Sequence, residues 1–197
     1  RNPHPDGRYL IRVWEIDYLA EIWVYGKSIG SHAGAQEPFT LDATEAIQPG
    51  QVNQIAVRLL HPTDGPIDGI VFGQVPHGCA TFSKVGGIMD SVELLMTPAV
   101  HVEDLYARPD WKTGKIQIQA QVRNFNRSDS KVQIQFAVSP ANSGDTLDIQ
   151  GRSEALPAGQ SILKAELTVP NFRLWQLNDP YLYRVTAQLT VNDTSVD

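Results

Sequence analysis

The chain has 197 residues, enough for one large domain or two of about 100 residues each. Hydrophobic residues make up 42% and charged residues 19%, a globular balance, and the net charge of −6 leaves no electrostatic footprint for nucleic acid. No apolar run approaches the roughly 20 residues of a membrane span, and the single cysteine, Cys79, excludes an internal disulfide framework and any multi-cysteine metal site.

Arg1–Gly7 is a turn-rich lead-in. Arg8–Trp14 reads as the first strand, with Tyr9, Ile11 and Val13 alternating against Arg8, Leu10 and Arg12. Glu21–Tyr25 is a second strand. A tight turn at Gly26-Lys27 follows, with Gly in the first central position of a type II′ hairpin, and a short strand returns through Ile29. Another strand enters at Pro38-Phe39. Asp42–Ile47 suits one helical turn capped by Asp42, and Gln48-Pro-Gly-Gln51 suits a type II turn. Asn53–Leu60 is a clear strand. Regularity then fails from His61 to Gly87, where Pro and Gly interrupt every run and leave room only for a short strand near Ile70–Phe72. A long irregular passage inside a regular domain points to function or disorder. Ser91–Met96 resumes as a strand.

The second half alternates more cleanly. After a strand at Val100–Ala107 and a loop at Arg108–Thr113 that carries Trp111, Ile116, Ile118, Ala120 and Val122 oppose a row of polar residues. Val132, Ile134, Phe136 and Val138 repeat the pattern, as do Leu163 to Val169 and Tyr183 to Val191. Short strands with polar outer faces and turn-rich gaps predict an all-β chain built as antiparallel sandwiches. The boundary is expected near Pro98-Ala99, giving domains 1–98 and 99–197.

Several blocks carry more than a fold class. Asp17-Tyr-Leu-Ala-Glu-Ile-Trp-Val-Tyr-Gly-Lys, Gly30-Ser-His-Ala-Gly34, Glu37-Pro-Phe-Thr-Leu-Asp42, Ile47-Gln-Pro-Gly50 and Asn53-Gln-Ile-Ala-Val-Arg58 resemble, in order and spacing, glycoside hydrolase family 2. Gly86-Gly-Ile-Met-Asp-Ser-Val-Glu-Leu-Leu95 resembles the strand that ends that family's N-terminal sugar-binding domain. Pro98–Leu105 is similar to the entry of its immunoglobulin-like domain, and Leu174-Trp-Gln-Leu-Asn-Asp-Pro-Tyr-Leu-Tyr183 to a signature late in that domain. The resemblance implies a jelly-roll (galactose-binding-like) sandwich followed by an immunoglobulin-like sandwich, both preceding a catalytic (β/α)8 barrel whose two Glu residues perform retaining hydrolysis. Both ends of the chain are expected to be cut, the jelly roll beginning partway through and the barrel lying beyond Asp197. Met89 and Asp90 depart from the family's usual residues after Gly-Gly-Ile, which leaves the sugar preference open. The partners implied are carbohydrate, the chain's own barrel and other copies in a homo-oligomer, with no nucleic acid, membrane or cofactor.

The irregular passage supplies most of the candidate sugar contacts. His77 and Lys84 are hydrogen-bond donors for sugar hydroxyls, and Phe82 offers an apolar face for a pyranose ring. Among Trp14, Trp23, Trp111 and Trp175, packing is the better reading for Trp23 and Trp175, and Trp111 is the one expected to be exposed and to meet substrate. Glu15 with Asp17, and Asp145 with Asp148, read as solvated strand-end carboxylates, so no catalytic residue is assigned. The five histidines lack close ligand spacing, so no metal site is expected, and His77 beside Cys79 lacks the further groups a thiol enzyme needs. Asn126-Arg-Ser128 and Asn192-Asp-Thr194 match glycosylation sequons. The expected role is support of O-glycoside hydrolysis by the barrel. A free-standing carbohydrate-binding module and a purely structural or adhesive sandwich pair remain as alternatives.

Overall fold

The computed structural model describes residues 2–4, 6–35, 37–61, 68–69 and 86–196. Among these residues every regular element is a strand, and the chain divides into two compact units, Arg1–Thr97 and Pro98–Asp197.

The first unit is built from β1 (Arg8–Val13), β2 (Ile16–Asp17), β3 (Leu19–Val24), β4 (Lys27–Ala33), β5 (Phe39–Asp42), β6 (Ile55–Leu60), β7 (Gly87–Ile88) and β8 (Val92–Thr97). Two antiparallel three-stranded sheets form, ordered β5-β1-β8 and β4-β3-β6, with a two-residue β2-β7 pair beside them. Each sheet puts its most buried strand in the centre. Tyr9, Ile11 and Val13 of β1 and Ala20, Ile22 and Val24 of β3 turn one face into a shared core, closed by Ala43 and Ile47. Burying each such aliphatic side chain contributes about 1.5–3 kcal/mol before entropy is counted.

The hairpin differs from the expected one. Val24 pairs with Lys27, so the central residues are Tyr25 and Gly26, and both have positive φ, 48° and 75°. That is the type I′ pattern rather than II′. A tyrosine occupies the left-handed first position because it is held there from outside. Its amide donates to the Gln54 carbonyl at 3.1 Å, and its hydroxyl donates to the Val52 carbonyl. After β5 the Asp42 carboxylate accepts from the Thr44 amide at 2.9 Å, and a single hydrogen-bonded turn closes from the Ile47 amide to the Ala43 carbonyl at 2.9 Å. Gln51 donates to the Gln48 carbonyl at 3.2 Å, with Gly50 at φ 79°, as a type II turn requires.

The second unit comprises β9 (Val100–Pro109), β10 (Lys115–Asn124), β11 (Ser130–Pro140), β12 (Asp148–Leu156), β13 (Gly159–Thr168), β14 (Tyr183–Val191) and β15 (Thr194–Ser195). Its sheets are ordered β13-β10-β9 and β12-β11-β14-β15. Here the two central strands alternate most strictly. Ile116, Ile118, Ala120 and Val122 of β10 meet Val132, Ile134, Phe136 and Val138 of β11, and Leu163, Leu167 and Leu189 complete the core. At the β10–β11 turn the buried Asn124 amide donates to the carbonyls of Ser128, Leu156 and Pro157 at 3.0–3.2 Å, while its oxygen accepts from the Asn126 amide at 2.9 Å.

Candidate functional site

His77, Phe82 and Lys84 lie outside the described residues, as do Cys79 and the short strand expected near Ile70–Phe72. What the structure does describe is the ground on either side of that passage. Ile16 pairs with Ile88 and Asp17 with Gly87, and the Met89 amide donates to the Glu15 carbonyl at 3.1 Å. A Cβ at Gly86 would stand 2.5 Å from the Cβ of His61, so only glycine allows this approach. Asp17 is 4% exposed, against its reading as a solvated strand-end group, and its carboxylate lies 3.6 Å from His61 Nδ1. Nearby, Arg58 pairs with Glu21 at 2.7 Å and with Asp68, whose hydrogen bond is the main reason its pKa is raised.

Trp111 is the described member of the candidate set, and at 65% exposure it is the most exposed of the four tryptophans. It rides on the turn between β9 and β10. There the Asp110 carboxylate accepts from the Lys112 amide at 2.9 Å and the Thr113 hydroxyl at 2.8 Å, and the Gly114 amide returns to the Asp110 carbonyl at 2.9 Å. The Lys112 amide bond leads the causes that hold the Asp110 pKa below the ordinary aspartate range. The Lys112 ammonium lies 5.2 Å from the centre of the Trp111 ring.

Trp111 and Trp175 line one cavity of about 370 Å³, together with Phe172, Arg173, Leu182 and Tyr183. Trp175 is 56% exposed and not packed into the core. The segment that carries it has little regular structure but many internal bonds. Gln176 and Asp179 exchange amide-to-carbonyl bonds at 3.0 Å in both directions, the Arg173 amide donates to the Tyr183 hydroxyl at 2.8 Å, and the Arg173 guanidinium pairs with Asp179 at 2.5 Å. The guanidinium also lies 4.1 Å from the Tyr181 ring centre. Phe172 and Arg173 lie outside every stretch singled out from the sequence, and Tyr181 enters there only within the Leu174–Tyr183 signature. Leu174–Tyr183 has apolar residues without a strand or helix period, and that mismatch is the signal that it faces outward. Among the described residues no group of His, Cys, Asp or Glu has metal-site geometry.

The molecule is thus a pair of antiparallel β-sandwiches, the second bearing an apolar cleft lined by aromatic rings. Residues 100–197 match the model for glycosyl hydrolases family 2, and the chain belongs to that family. It is 25% identical to the β-glucuronidase of Canis lupus familiaris over 97% of its own length and 31% of that protein. It is also 25% identical to the β-galactosidase of Oenococcus oeni, over 89% of the chain and 17% of that protein. In fold it is similar to the crystal structure of the Bacteroides uniformis β-glucuronidase, with a TM-score of 0.83 at 21% identity, over 97% of this chain and 23% of that one. The chain therefore spans less than a third of the length of the relatives it matches.

Proposed function

We propose that this chain is a non-catalytic, N-terminal portion of a family 2 glycoside hydrolase, supporting O-glycosidic bond hydrolysis by a separate (β/α)8 barrel. The observation that carries this reading is the coverage: relatives named as β-glucuronidases and β-galactosidases align along nearly all of this chain while extending far past it. The first unit is read as a sugar-binding jelly roll (residues 1–98) and the second as an immunoglobulin-like sandwich (99–197). For the second, the order β13-β10-β9 against β12-β11-β14-β15 supports the reading. It resembles the seven-strand arrangement of immunoglobulin-like domains, with the fourth strand joined to the sheet of the third, sixth and seventh.

Asp110, the carboxylate at the cleft, does not fit the proton donor of a glycosidase. A glycosidase general acid must hold its proton near neutral pH, which needs a raised pKa. Asp110, at the cleft, is shifted downward, and so are Asp42 and Glu103. His77, Phe82 and Lys84 remain proposed sugar contacts from the passage between β6 and β7. Trp111, exposed at the apolar cleft, remains a proposed sugar contact as well.

The test is the intact mass of the native polypeptide that contains this sequence, followed by its turnover of nitrophenyl glycosides. A chain ending near Asp197 would remove the barrel and leave a free-standing carbohydrate-binding module or a structural pair of sandwiches. Calorimetry with glucuronic acid and galactose separates those two.

A further inference from the structure

We infer that the free edge of β13 is a strand-pairing surface for a second copy of this chain, and that Asp148 and Arg152 of β12 hold it closed. β13 pairs on one side only, with β10. Just past its end, the Val169 amide donates to the Gly114 carbonyl on the β10 side at 2.9 Å. Backbone groups alternate along an antiparallel strand, so those of Lys164, Glu166 and Thr168 point the other way, toward the open edge. A row of this kind is a template for an added strand.

The row is self-complementary. Two β13 strands laid antiparallel about Ala165 would put Lys164 of each copy opposite Glu166 of the other, and Ile162 opposite Thr168. All four belong to the set that points outward, so this register closes backbone hydrogen bonds and two charge pairs together. Glu166 meets Lys115 at 2.7 Å through one carboxylate oxygen and keeps the other for Lys164. Ile162 is 55% exposed and adds an apolar contact at each end. Two-fold pairing is also the commonest symmetry of self-association.

β12 stands in the way of that pairing. Opposite Val132, Ile134, Phe136 and Val138 it carries Glu154, Arg152, Gln150 and Asp148, so the face it shares with the core row of β11 is polar and charged. Two of these side chains reach the β13 edge. The Asp148 carboxylate accepts from the Thr168 amide at 2.7 Å, and the Arg152 guanidinium donates to the Lys164 carbonyl at 3.3 Å. The order is reversed on the two strands and the separation is the same, so the side chains keep the antiparallel register of a paired backbone. Each is steadied in turn. The other Asp148 oxygen accepts from the Ile149 amide at 2.8 Å, and Arg152 pairs with Glu154. The turn that sets the register is held by the Asn124 amide at the Leu156 and Pro157 carbonyls. Inward-pointing charges are one of the ways a sheet edge is blunted.

The experiment uses the full-length polypeptide as wild type, as Arg152→Ala and as the double variant Asp148→Ala/Arg152→Ala. The double variant leaves the net charge unchanged, so self-repulsion is not altered. Near-ultraviolet circular dichroism first establishes that each is folded. In dilute wild type the Thr168 amide is expected to exchange at least ~10-fold more slowly than the Glu166 amide, and in the double variant at the same rate. At about 100-fold higher concentration the double variant is expected to sediment as a larger species than wild type, with its β13 amides protected anew. Adding Glu166→Pro, which removes an outward N–H, is expected to restore the wild-type size.

Equal Thr168 and Glu166 rates in the wild type would overturn the guard. A concentrated double variant of wild-type size would overturn the pairing surface, as would association that leaves β13 unprotected or survives Glu166→Pro. Arg152→Ala alters an exposed side chain, so it carries little folding risk and is decisive if the double variant does not fold. Its association should fall between those of wild type and an unguarded edge, and wild-type behaviour in both exchange and sedimentation would count against the inference.

Discussion

Gly114 and Phe172 are in contact closely enough that no side chain fits between them: a Cβ on Gly114 would lie 2.5 Å from Phe172 Cδ1 and 2.7 Å from the Val169 carbonyl oxygen. Gly114 also has φ 74°, in the left-handed region. The turn presenting Trp111 and the segment leading to Trp175 are therefore locked through one glycine.

Gly114→Ala should cost about 3 kcal/mol, roughly 1–2 from the left-handed backbone and the rest from overpacking against Phe172. Gly26→Ala is the control. It has a similar φ of 75° but nothing within 4 Å of the added Cβ, so only the backbone cost of about 1 kcal/mol remains. Hydrogen exchange of the β10 amides for the first variant and the β3 amides for the second reads each unit directly. Equal losses would contradict the packing argument.

Asn124 is 2% exposed, and its amide satisfies three carbonyls on two segments, Ser128 and Leu156-Pro157. Asn124→Ala should cost about 2–4 kcal/mol, since it strands buried acceptors. Asn124→Asp should be worse near neutral pH, because a carboxylate would then face those carbonyl oxygens. Its pKa rises there, so acidification should recover part of the loss. Urea midpoints at pH 7 and pH 4.5 check the sign, and a smaller loss at pH 7 than at pH 4.5 would refute it.

Asp42 supplies a pH dependence of the opposite sense. Burial raises its pKa, but the Thr44 side-chain bond and the Arg8 pair outweigh it, so the folded value lies below the ordinary 3.8. A depressed carboxylate contributes stability in full above its unfolded pKa and loses it as pH falls through the lower folded value. The loss should therefore appear below about pH 4 and be flattened in Asp42→Asn. Thermal midpoints from pH 6 to pH 2.5 provide the comparison, and identical slopes for the two proteins would count against it.

Much of the fold was legible because the central strands of the second unit carry the strictest alternation. β10 and β11 read as Ile116-Ile118-Ala120-Val122 and Val132-Ile134-Phe136-Val138, and all eight residues are buried. β12 was invisible for the complementary reason. It is an edge strand paired only with β11, and of Asp148–Leu156 only Leu156 is buried. The hairpin turn was misplaced by one residue because glycine was taken for the first central position. The Gln54 and Val52 carbonyls that steady Tyr25 come from a segment distant in sequence, beyond the reach of local turn statistics. The same limit applies to the cleft. Trp111 was recognisable as exposed from its loop, whereas its proximity to Trp175 depends on β9, β10 and β14 folding together.

The most direct test is nitrophenyl-glycoside turnover by the purified 197-residue chain, shown to be folded by near-ultraviolet circular dichroism, beside the full-length polypeptide. Assignment as a supporting, non-catalytic portion predicts no rate above buffer for the chain alone and turnover by the full-length protein. Turnover by the chain alone that disappears on a substitution within residues 1–197 would contradict it.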